Sequence, residues 1–299
     1  MVRVVASLTT MPDKKDKILK TVRSLKNQTH PLDAIYLGLP LVSRRLGVKY
    51  DDPDTELAEL VTIVRVNDYG PITKLAGALI SEHDLDTIII SFDDDMLYPS
   101  TMVEKLLAWH VQYPNSAIGS SGMLLGKGCP LCAITPNENQ FPFGIPKFKV
   151  GRHGRVVDAI YGYPGALYLR KFFPPLSRLE TEFFNYSLLD HDMFMNDDIV
   201  ISGYLSLKNI ERRIVPNMPH VSFVLDDDSG VRKRVNSEIS YNLDKFFQRL
   251  NSAVLGAKAV GMYEKIEKMN FSESIAGVIA IIVISCLLIV VFAALFFFW

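Results

Sequence analysis

Short apolar runs alternate with amphipathic segments along the first 113 residues of the chain. Apolar runs rich in β-branched residues predict buried strands at 3–9, 34–39, most of 57–66, and 87–92. Apolar residues at spacings of three and four predict helices at 13–28, 72–81 and 101–113. Strands that alternate with helices in this way are typical of an open α/β sheet with mostly parallel strands.

The second half of the chain has a less regular pattern. Residues 156–170 carry short apolar runs around two glycines and predict strands, and residues 181–205 are predicted to be helical in parts. Apolar residues recur every three or four positions over 237–250, which predicts an amphipathic helix.

A long apolar segment occupies residues 275–298, which include no charged residue. At about 1.5 Å per residue these 24 residues reach about 36 Å, enough to cross a hydrocarbon core of about 30 Å. Lysines precede the segment and no basic residue follows it, so the positive-inside rule predicts a single-pass, C-terminally anchored protein whose globular part faces the cytosol. The predicted organisation is a catalytic domain at 1–236, a juxtamembrane helical segment at 237–270 and an anchor at 271–299.

Composition adds exclusions to this picture. The 299 residues include 32 basic and 33 acidic side chains, a formal net charge of −1, and 48% are hydrophobic, so the chain can bury a core. A balanced charge gives no support for a nucleic-acid partner, and three cysteines cannot form a disulfide framework. The mean hydropathy of +0.16 is high for a water-soluble enzyme because of the apolar segment near the C-terminus.

Three consecutive aspartates, Asp93, Asp94 and Asp95, directly follow the apolar run 87–92. In open parallel sheets, ligands bind at the carboxyl ends of the strands. Carboxylates two positions apart can converge on one hard cation, and Mg²⁺ or Mn²⁺ held in this way commonly carries substrate phosphates. The alternative is an acidic turn that ends a strand, and the combination of strand, triplet and α/β context favours the metal site.

Further polar residues lie where other predicted strands end and helices begin. Asp68 could accept a hydrogen bond from a base or ribose hydroxyl, and Lys74 lies in a first helical turn, where a cation is unfavourable unless an anion shares the site. Either Asp197 or Asp198 could be a general base, although such residues are also ordinary helix caps. His220, before a strand-like run, is a candidate third metal ligand or a structural histidine.

Taken in chain order, these motifs resemble a GT-A glycosyltransferase of the family-2-like type. The segments that carry the resemblance are 7–12 (SLTTMP), 24–29 (SLKNQT), 39–40, 69–74, 93–95 with 98–99, 162–169 (GYPGALYL) and 196–198. The resemblance implies the GT-A fold, which is an α/β, Rossmann-like, open and mostly parallel sheet. It also implies a metal-dependent transfer of a sugar from a nucleotide-sugar donor to an acceptor hydroxyl, with Mn²⁺ or Mg²⁺ as the cofactor.

The resemblance also implies roles at the donor site. Asp93 and Asp95 would bind the divalent metal and the diphosphate of the nucleotide sugar, with Asp94 near the ribose or the metal. Thr9, at the end of the first strand, would line the nucleotide pocket. Lys74 would lie near the nucleotide.

For the acceptor, the resemblance implies a general base and an inverting reaction. Asp198 matches the last acid of the family's general-base motif, and Asp197 takes the place of the glutamate that usually precedes it, so both acids stay candidates. The family often places an aspartate after the second strand to read the base; here that strand ends in Leu39 and Pro40, which leaves the donor nucleotide open. The acceptor would be a glycan, a lipid-linked sugar or another hydroxyl compound.

Three alternatives fit parts of the pattern. A phosphohydrolase of the haloacid dehalogenase type usually places its nucleophilic aspartate on the first strand, with Thr or Val two residues after the second aspartate. Here earlier strands precede the triplet, and Leu97 takes the place of that Thr or Val. A nucleotidyltransferase would use aspartate pairs for two metals. A non-enzymatic, tail-anchored adaptor would not need polar residues at successive strand ends.

Overall fold

A computed structural model of the chain describes residues 2–126, 129–134, 147–148, 150–224 and 243–263. The predicted membrane span at 275–298 and the start of the amphipathic helix predicted from residue 237 lie outside these residues. Within the described ranges, no helix combines the length and the apolar character needed to cross a bilayer.

Fourteen strands and eight α-helices are present in the described residues. The strands are β1 (Val4–Thr9), β2 (Ala34–Pro40), β3 (Thr62–Val66), β4 (Ile88–Ser91), β5 (Met96–Leu97), β6 (Ser116–Gly119), β7 (Gly122–Gly126), β8 (Cys129–Ile134), β9 (Lys147–Phe148), β10 (Arg155–Val156), β11 (Ala159–Ile160), β12 (Ala166–Leu169), β13 (Glu211–Ile214) and β14 (Ser222–Phe223). The helices are α1 (Lys15–Lys26), α2 (Thr55–Leu60), α3 (Ala76–Ser81), α4 (Met102–Gln112), α5 (Leu179–Glu182), α6 (His191–Met195), α7 (Asp197–Leu207) and α8 (Leu243–Ala259).

The main sheet has eight strands in the order β10-β13-β6-β12-β4-β1-β2-β3. Four of its strand pairs are parallel and three are antiparallel, because β12 runs against both β4 and β6 and β10 runs against β13. A four-stranded sheet, β11-β7-β8-β9, and a two-stranded sheet, β14-β5, complete the described strands. The predicted open, mostly parallel α/β sheet is confirmed.

The central strands form where the sequence is apolar on both faces. All four residues of β4 are buried, as are the first five residues of β1, which is the pattern of a parallel strand covered by helices on both sides. On α1, Ile18, Val22 and Leu25 are buried, as the spacing of four and three requires. The predicted strands at 3–9 and 87–92 and the predicted helix at 13–28 therefore lie where expected, within one to two residues at most ends.

The strand predicted over most of 57–66 is wrong in its first half. Residues Thr55–Leu60 form helix α2, and β3 covers only Thr62–Val66. The physical reason is a helix cap, because the Asp54 side chain accepts a hydrogen bond from the Leu57 amide at 2.8 Å. Residues 72–81 also differ in detail, since they begin as a 3₁₀ turn and continue as α3.

Helix α7 lies in the interior of the protein. Seven consecutive residues, Ile199 to Leu205, are buried, so this helix has no solvent face over two turns. Gly203 allows a close approach, because a Cβ there would lie 2.6 Å from the Met262 sulfur. The Tyr263 hydroxyl donates to the Ile199 carbonyl at 2.8 Å, and Leu250 of α8 is buried in the same core. The two acids at the start of α7 are therefore held by a rigidly packed helix.

Candidate active site

An open cleft of about 250 Å³ lies at the carboxyl ends of the parallel strands β1, β3 and β4. The register of β1 and β4 pairs Val4 with Ile88 through to Ser7 with Ser91, where β4 ends, and β1 continues to Thr9. Eight charged residues line the cleft: Asp68, Asp93, Asp94, Asp95, Asp197, Lys14, Arg45 and Lys74. Five carboxylates against three basic groups give it a formal excess of two negative charges.

A buried ammonium group joins the aspartate triplet to the start of α7. Lys74 forms an ion pair with Asp93 and another with Asp197, whose Oδ2 is 2.8 Å from Lys74 Nζ. Only 6% of the Lys74 side chain is exposed. The Ser7 hydroxyl anchors the turn that carries Lys74, since it donates to the Lys74 carbonyl at 2.5 Å. Lys74 therefore fixes the distance between the two acidic groups of the cleft.

Burial and charge act in opposite directions on the Lys74 ammonium. Desolvation alone would lower its pKa, but the carboxylates of Asp197, Asp93 and Asp198 outweigh that effect and raise the pKa well above its usual value. Lys74 is therefore fully protonated near neutral pH and acts as a fixed positive charge.

Asp198, next along α7, is held differently from Asp197. Its Oδ1 accepts a hydrogen bond from the Gly162 amide at 2.8 Å, and it does not line the cleft described above. Burial and the neighbouring Asp197 carboxylate raise the pKa of Asp198 well above the ordinary value, against the opposing charge of Lys74. A carboxylate with a raised pKa is a stronger base than an exposed aspartate.

The second and third aspartates of the triplet share a different lysine. Lys14 Nζ lies 3.2 Å from Asp94 Oδ1 and 3.0 Å from Asp95 Oδ2. The Thr10 hydroxyl also donates to Asp94 Oδ2 at 2.6 Å. Burial raises the pKa of Asp94, and the Lys14 charge and the Thr10 hydrogen bond only partly offset it. Each carboxylate of the triplet thus has a lysine partner.

Two hydroxyl groups hold the backbone of the triplet in place. The Tyr98 hydroxyl accepts a hydrogen bond from the Asp93 amide at 2.8 Å and donates to the Tyr163 carbonyl at 2.9 Å. The buried Thr21 hydroxyl of α1 lies 2.9 Å from the Asp94 carbonyl oxygen. These contacts tie the triplet to α1 on one side and to the 162–165 turn on the other.

Of the remaining predicted site residues, Thr9 and Asp68 line the cleft and His220 does not. Thr9 lines the cleft, and its hydroxyl donates to the Gly38 carbonyl at 2.7 Å. Asp68 also lines it, but its two oxygens accept hydrogen bonds from the amides of Arg44 and Gly70, at 2.7 and 2.8 Å. His220 is exposed and is not among the lining residues.

Sequence reasoning missed four residues of the cleft wall: Lys14, Arg45, Tyr50 and Phe194. Tyr50 is partly buried, and burial together with the Asp68 carboxylate raises its pKa to about 12, so it is a neutral hydroxyl at physiological pH. Lys14 has no distinguishing signal in the sequence, because a lysine at the start of a predicted helix is usually a surface residue. The others lie in a loop or a short helix that no periodic pattern marks.

The Gly70 turn gives a stability prediction. Gly70 has φ +77°, and a Cβ there would lie 2.3 Å from the Phe194 carbonyl oxygen. Gly47 has a similar φ of +69°, but a Cβ there would meet nothing within 4 Å. We expect Gly47→Ala to cost about 1–2 kcal/mol from backbone conformation alone. Gly70→Ala should lower the free energy of unfolding clearly more than Gly47→Ala does, as measured by urea denaturation. Equal losses would show that a side chain at position 70 does not clash with Phe194.

The donor set of the cleft suits a hard divalent cation. Carboxylate oxygens are the ligands that Mg²⁺ and Mn²⁺ prefer, and Mg²⁺ commonly uses one or two protein carboxylates together with substrate phosphates. In the part of the chain that the structure describes, no group of three His, Cys, Asp or Glu residues is placed to hold a metal ion.

Comparison by sequence and comparison by structure give different results, since many solved structures match the chain. No protein-family model matches the chain, and no curated protein sequence matches it. Among solved structures, it is similar to the crystal structure of S. aureus TarS 1–349, with a TM-score of 0.44 and 12% sequence identity. The match covers 74% of this chain and 60% of that chain, so the chain spans about three fifths of that structure's length. A similarity at this level decides neither fold family nor activity.

Proposed function

We propose that the protein is a glycosyltransferase that moves a sugar from a nucleotide-sugar donor to an acceptor hydroxyl with the help of a divalent cation. The observation that carries the proposal is the charge arrangement of the cleft at the ends of parallel strands, in which Asp93 and Asp197 pair with a buried Lys74 while Asp94 and Asp95 pair with Lys14. Its formal excess of two negative charges would repel a diphosphate unless a divalent cation neutralised it.

On the donor side, Asp93 and Asp95 would hold the cation. When bound, Mn²⁺ or Mg²⁺ supplies a positive charge that offsets the negative charge on the leaving diphosphate. Thr9 lines the cleft at the end of β1, and Asp68 lines it just after the end of β3. Tyr50 presents a partly buried aromatic ring and a neutral hydroxyl on the same wall, which suits a nucleoside.

On the acceptor side, we propose Asp198 as the general base. Its carboxylate would take the proton of the acceptor hydroxyl while the acceptor oxygen bonds to the anomeric carbon. The bond from that carbon to the diphosphate oxygen would break, and its electron pair would leave with the nucleoside diphosphate. Attack from the face opposite the leaving group inverts the anomeric carbon.

The two neighbouring acids would then have separate tasks. Asp197 is paired with Lys74, whereas Asp198 accepts a hydrogen bond from the Gly162 amide and has a raised pKa. The acceptor would be a glycan, a lipid-linked sugar or another hydroxyl compound. Residues 275–298, if they span a bilayer as predicted, would keep that acceptor and the cleft near the membrane surface.

The direct test is turnover with a panel of nucleotide sugars in the presence of Mn²⁺ or Mg²⁺. We expect release of a nucleoside diphosphate, loss of that activity on chelation, and a fall of about 100-fold or more in Asp95→Asn, since oriented charge stabilisation at a leaving group contributes on that scale. Asp86→Asn is the matched control, because Asp86 forms an exposed ion pair with Lys171 and does not line the cleft.

Other outcomes would contradict the proposal. Release of inorganic phosphate from phosphate esters would indicate a phosphohydrolase, and formation of a nucleotidyl product with release of pyrophosphate would indicate a nucleotidyltransferase. An absence of both turnover and nucleotide-sugar binding with Mn²⁺ present would exclude the glycosyltransferase assignment.

A further inference from the structure

Lys14 occupies a position that the proposed function leaves unexplained. Its ammonium bridges Asp94 and Asp95, at 3.2 and 3.0 Å, and so lies against one of the two carboxylates proposed to hold the divalent cation. About a third of the Lys14 side chain is exposed, compared with 6% of Lys74. The two lysines of the cleft therefore differ in their freedom to move.

The local structure makes Lys14 a poor helix residue. It is the N-terminal cap of α1, and no side chain there accepts a hydrogen bond from the first helical amides. A cation at this end of a helix is unfavourable because the helix dipole is positive there. The contacts with Asp94 and Asp95 offset that cost.

A divalent cation bound to Asp95 would compete with the Lys14 ammonium for that carboxylate, because the two positive charges repel each other at such short range. Lys74 has no comparable choice, since it is buried between Asp93 and Asp197 and its turn is anchored by Ser7. Lys14 has a flexible stem of four carbons and opens onto the same cleft. A divalent cation that binds Asp95 would therefore displace Lys14 and leave Lys74 in place.

We propose that Lys14 is an exchangeable cation of the donor site. Without ligand it neutralises Asp94 and Asp95, and when the divalent cation and the diphosphate enter, its ammonium leaves Asp95 and pairs with the diphosphate oxygens. This inference rests on the proposed function, because it assigns Lys14 as a binding residue for the leaving group of the same reaction. Donor binding then requires that the ion pair between Lys14 and Asp95 be exchanged for one between Lys14 and the diphosphate.

The exchange predicts effects of opposite sign on two ligands. In Lys14→Met, Mn²⁺ added alone should bind more tightly, by about threefold, because a competing surface charge is gone. Pyrophosphate added with saturating Mn²⁺ should bind about tenfold more weakly, because one charge-assisted contact is lost. Electron paramagnetic resonance of free Mn²⁺ measures the first, and titration calorimetry measures the second.

Matched variants separate exchange from general charge effects. Lys20→Met removes an exposed lysine from the same helix and should leave both affinities unchanged. Lys14→Arg keeps the charge and should retain most of the pyrophosphate affinity, which also controls for folding. Circular dichroism on each variant confirms that the fold is retained.

The failures of this inference and of the proposed function are distinguishable. If the protein binds Mn²⁺ and pyrophosphate but Lys14→Met shifts both affinities in the same direction, or neither, the exchange is excluded while the donor site stands. If the unaltered protein binds pyrophosphate equally well with and without Mn²⁺, both the exchange and the proposed metal dependence are wrong.

Discussion

Replacement of Lys74 by methionine is expected to lower the free energy of unfolding by about 3 kcal/mol or more at pH 7, the scale on which a buried charge loses its partner. Methionine keeps most of the length of the side chain but removes the ammonium that pairs with Asp93 and Asp197. These two carboxylates and Asp198 would then repel one another without the positive charge that separates them. Urea denaturation followed by tryptophan fluorescence measures the change.

The pH dependence of this effect has a definite sign. The pKa of Lys74 is raised in the folded state, so its stabilising contribution is fully present below its unfolded pKa of about 10.4 and is lost as the pH rises through the folded value. In Lys74→Met, the charge that opposes the raised pKa of Asp198 is gone, so Asp198 gains a proton more readily in the folded state than in the unfolded chain. The difference in stability between variant and parent should therefore shrink as the pH falls from 7 towards 5.

A surface lysine provides the control for this prediction. Lys171 pairs with Asp86 at 3.0 Å, but 41% and 74% of these two side chains are exposed. Lys171→Met should cost less than about 1 kcal/mol, as exposed ion pairs do. If Lys74→Met costs no more than Lys171→Met at pH 7, the ammonium is not the partner that holds the three carboxylates together.

The central strands of the fold were predictable from sequence because burial on both faces leaves a continuous apolar run. The residues of β1 and β4 show this directly, and α1 shows the matching helical spacing. Helix α2 was not predictable from periodicity, since it has six residues and depends on the cap at Asp54. The antiparallel direction of β12 between β4 and β6 was equally hidden, because it depends on pairing between segments distant in sequence.

The candidate site was partly predictable for a related reason. Parallel strands end at one edge of a sheet, so Asp68 and the triplet at 93–95 could be placed together from strand boundaries alone. What the sequence did not indicate is how these charges are balanced. Lys14 is 80 residues from Asp94 in the chain, and a lysine at the start of a helix looks like any surface lysine until the fold brings the two together.

Asparagine at position 198 should lower kcat by about 10²- to 10⁴-fold, the contribution of a positioned general base. Asparagine has nearly the same shape as aspartate, and its carbonyl oxygen can still accept the hydrogen bond from the Gly162 amide. The fold and donor binding should therefore be retained, so that a loss of rate reports on the proton transfer. Single-turnover rates with the donor found in the panel, together with the dissociation constant of that donor, separate the two effects.

The pH profile of the unaltered enzyme gives a second readout for the same residue. Burial and the Asp197 carboxylate raise the pKa of Asp198, so kcat/KM should begin to fall at a pH clearly above 3.9, the usual aspartate value, as the base becomes protonated. This acidic limb should be absent from the residual activity of Asp198→Asn.

Asp197→Asn is the matched comparison, because it makes the same substitution at the neighbouring aspartate. Asp197 is paired with Lys74, so its replacement removes a positioning contact and should cost less activity than the change at position 198. If Asp197→Asn abolishes the acidic limb while Asp198→Asn keeps the full rate, the base is the carboxylate that lines the cleft. In that case the ion pair between Asp197 and Lys74 would have to break in each turnover. Lys74→Arg should then slow the reaction, because an arginine can hold the Asp197 carboxylate through two contacts.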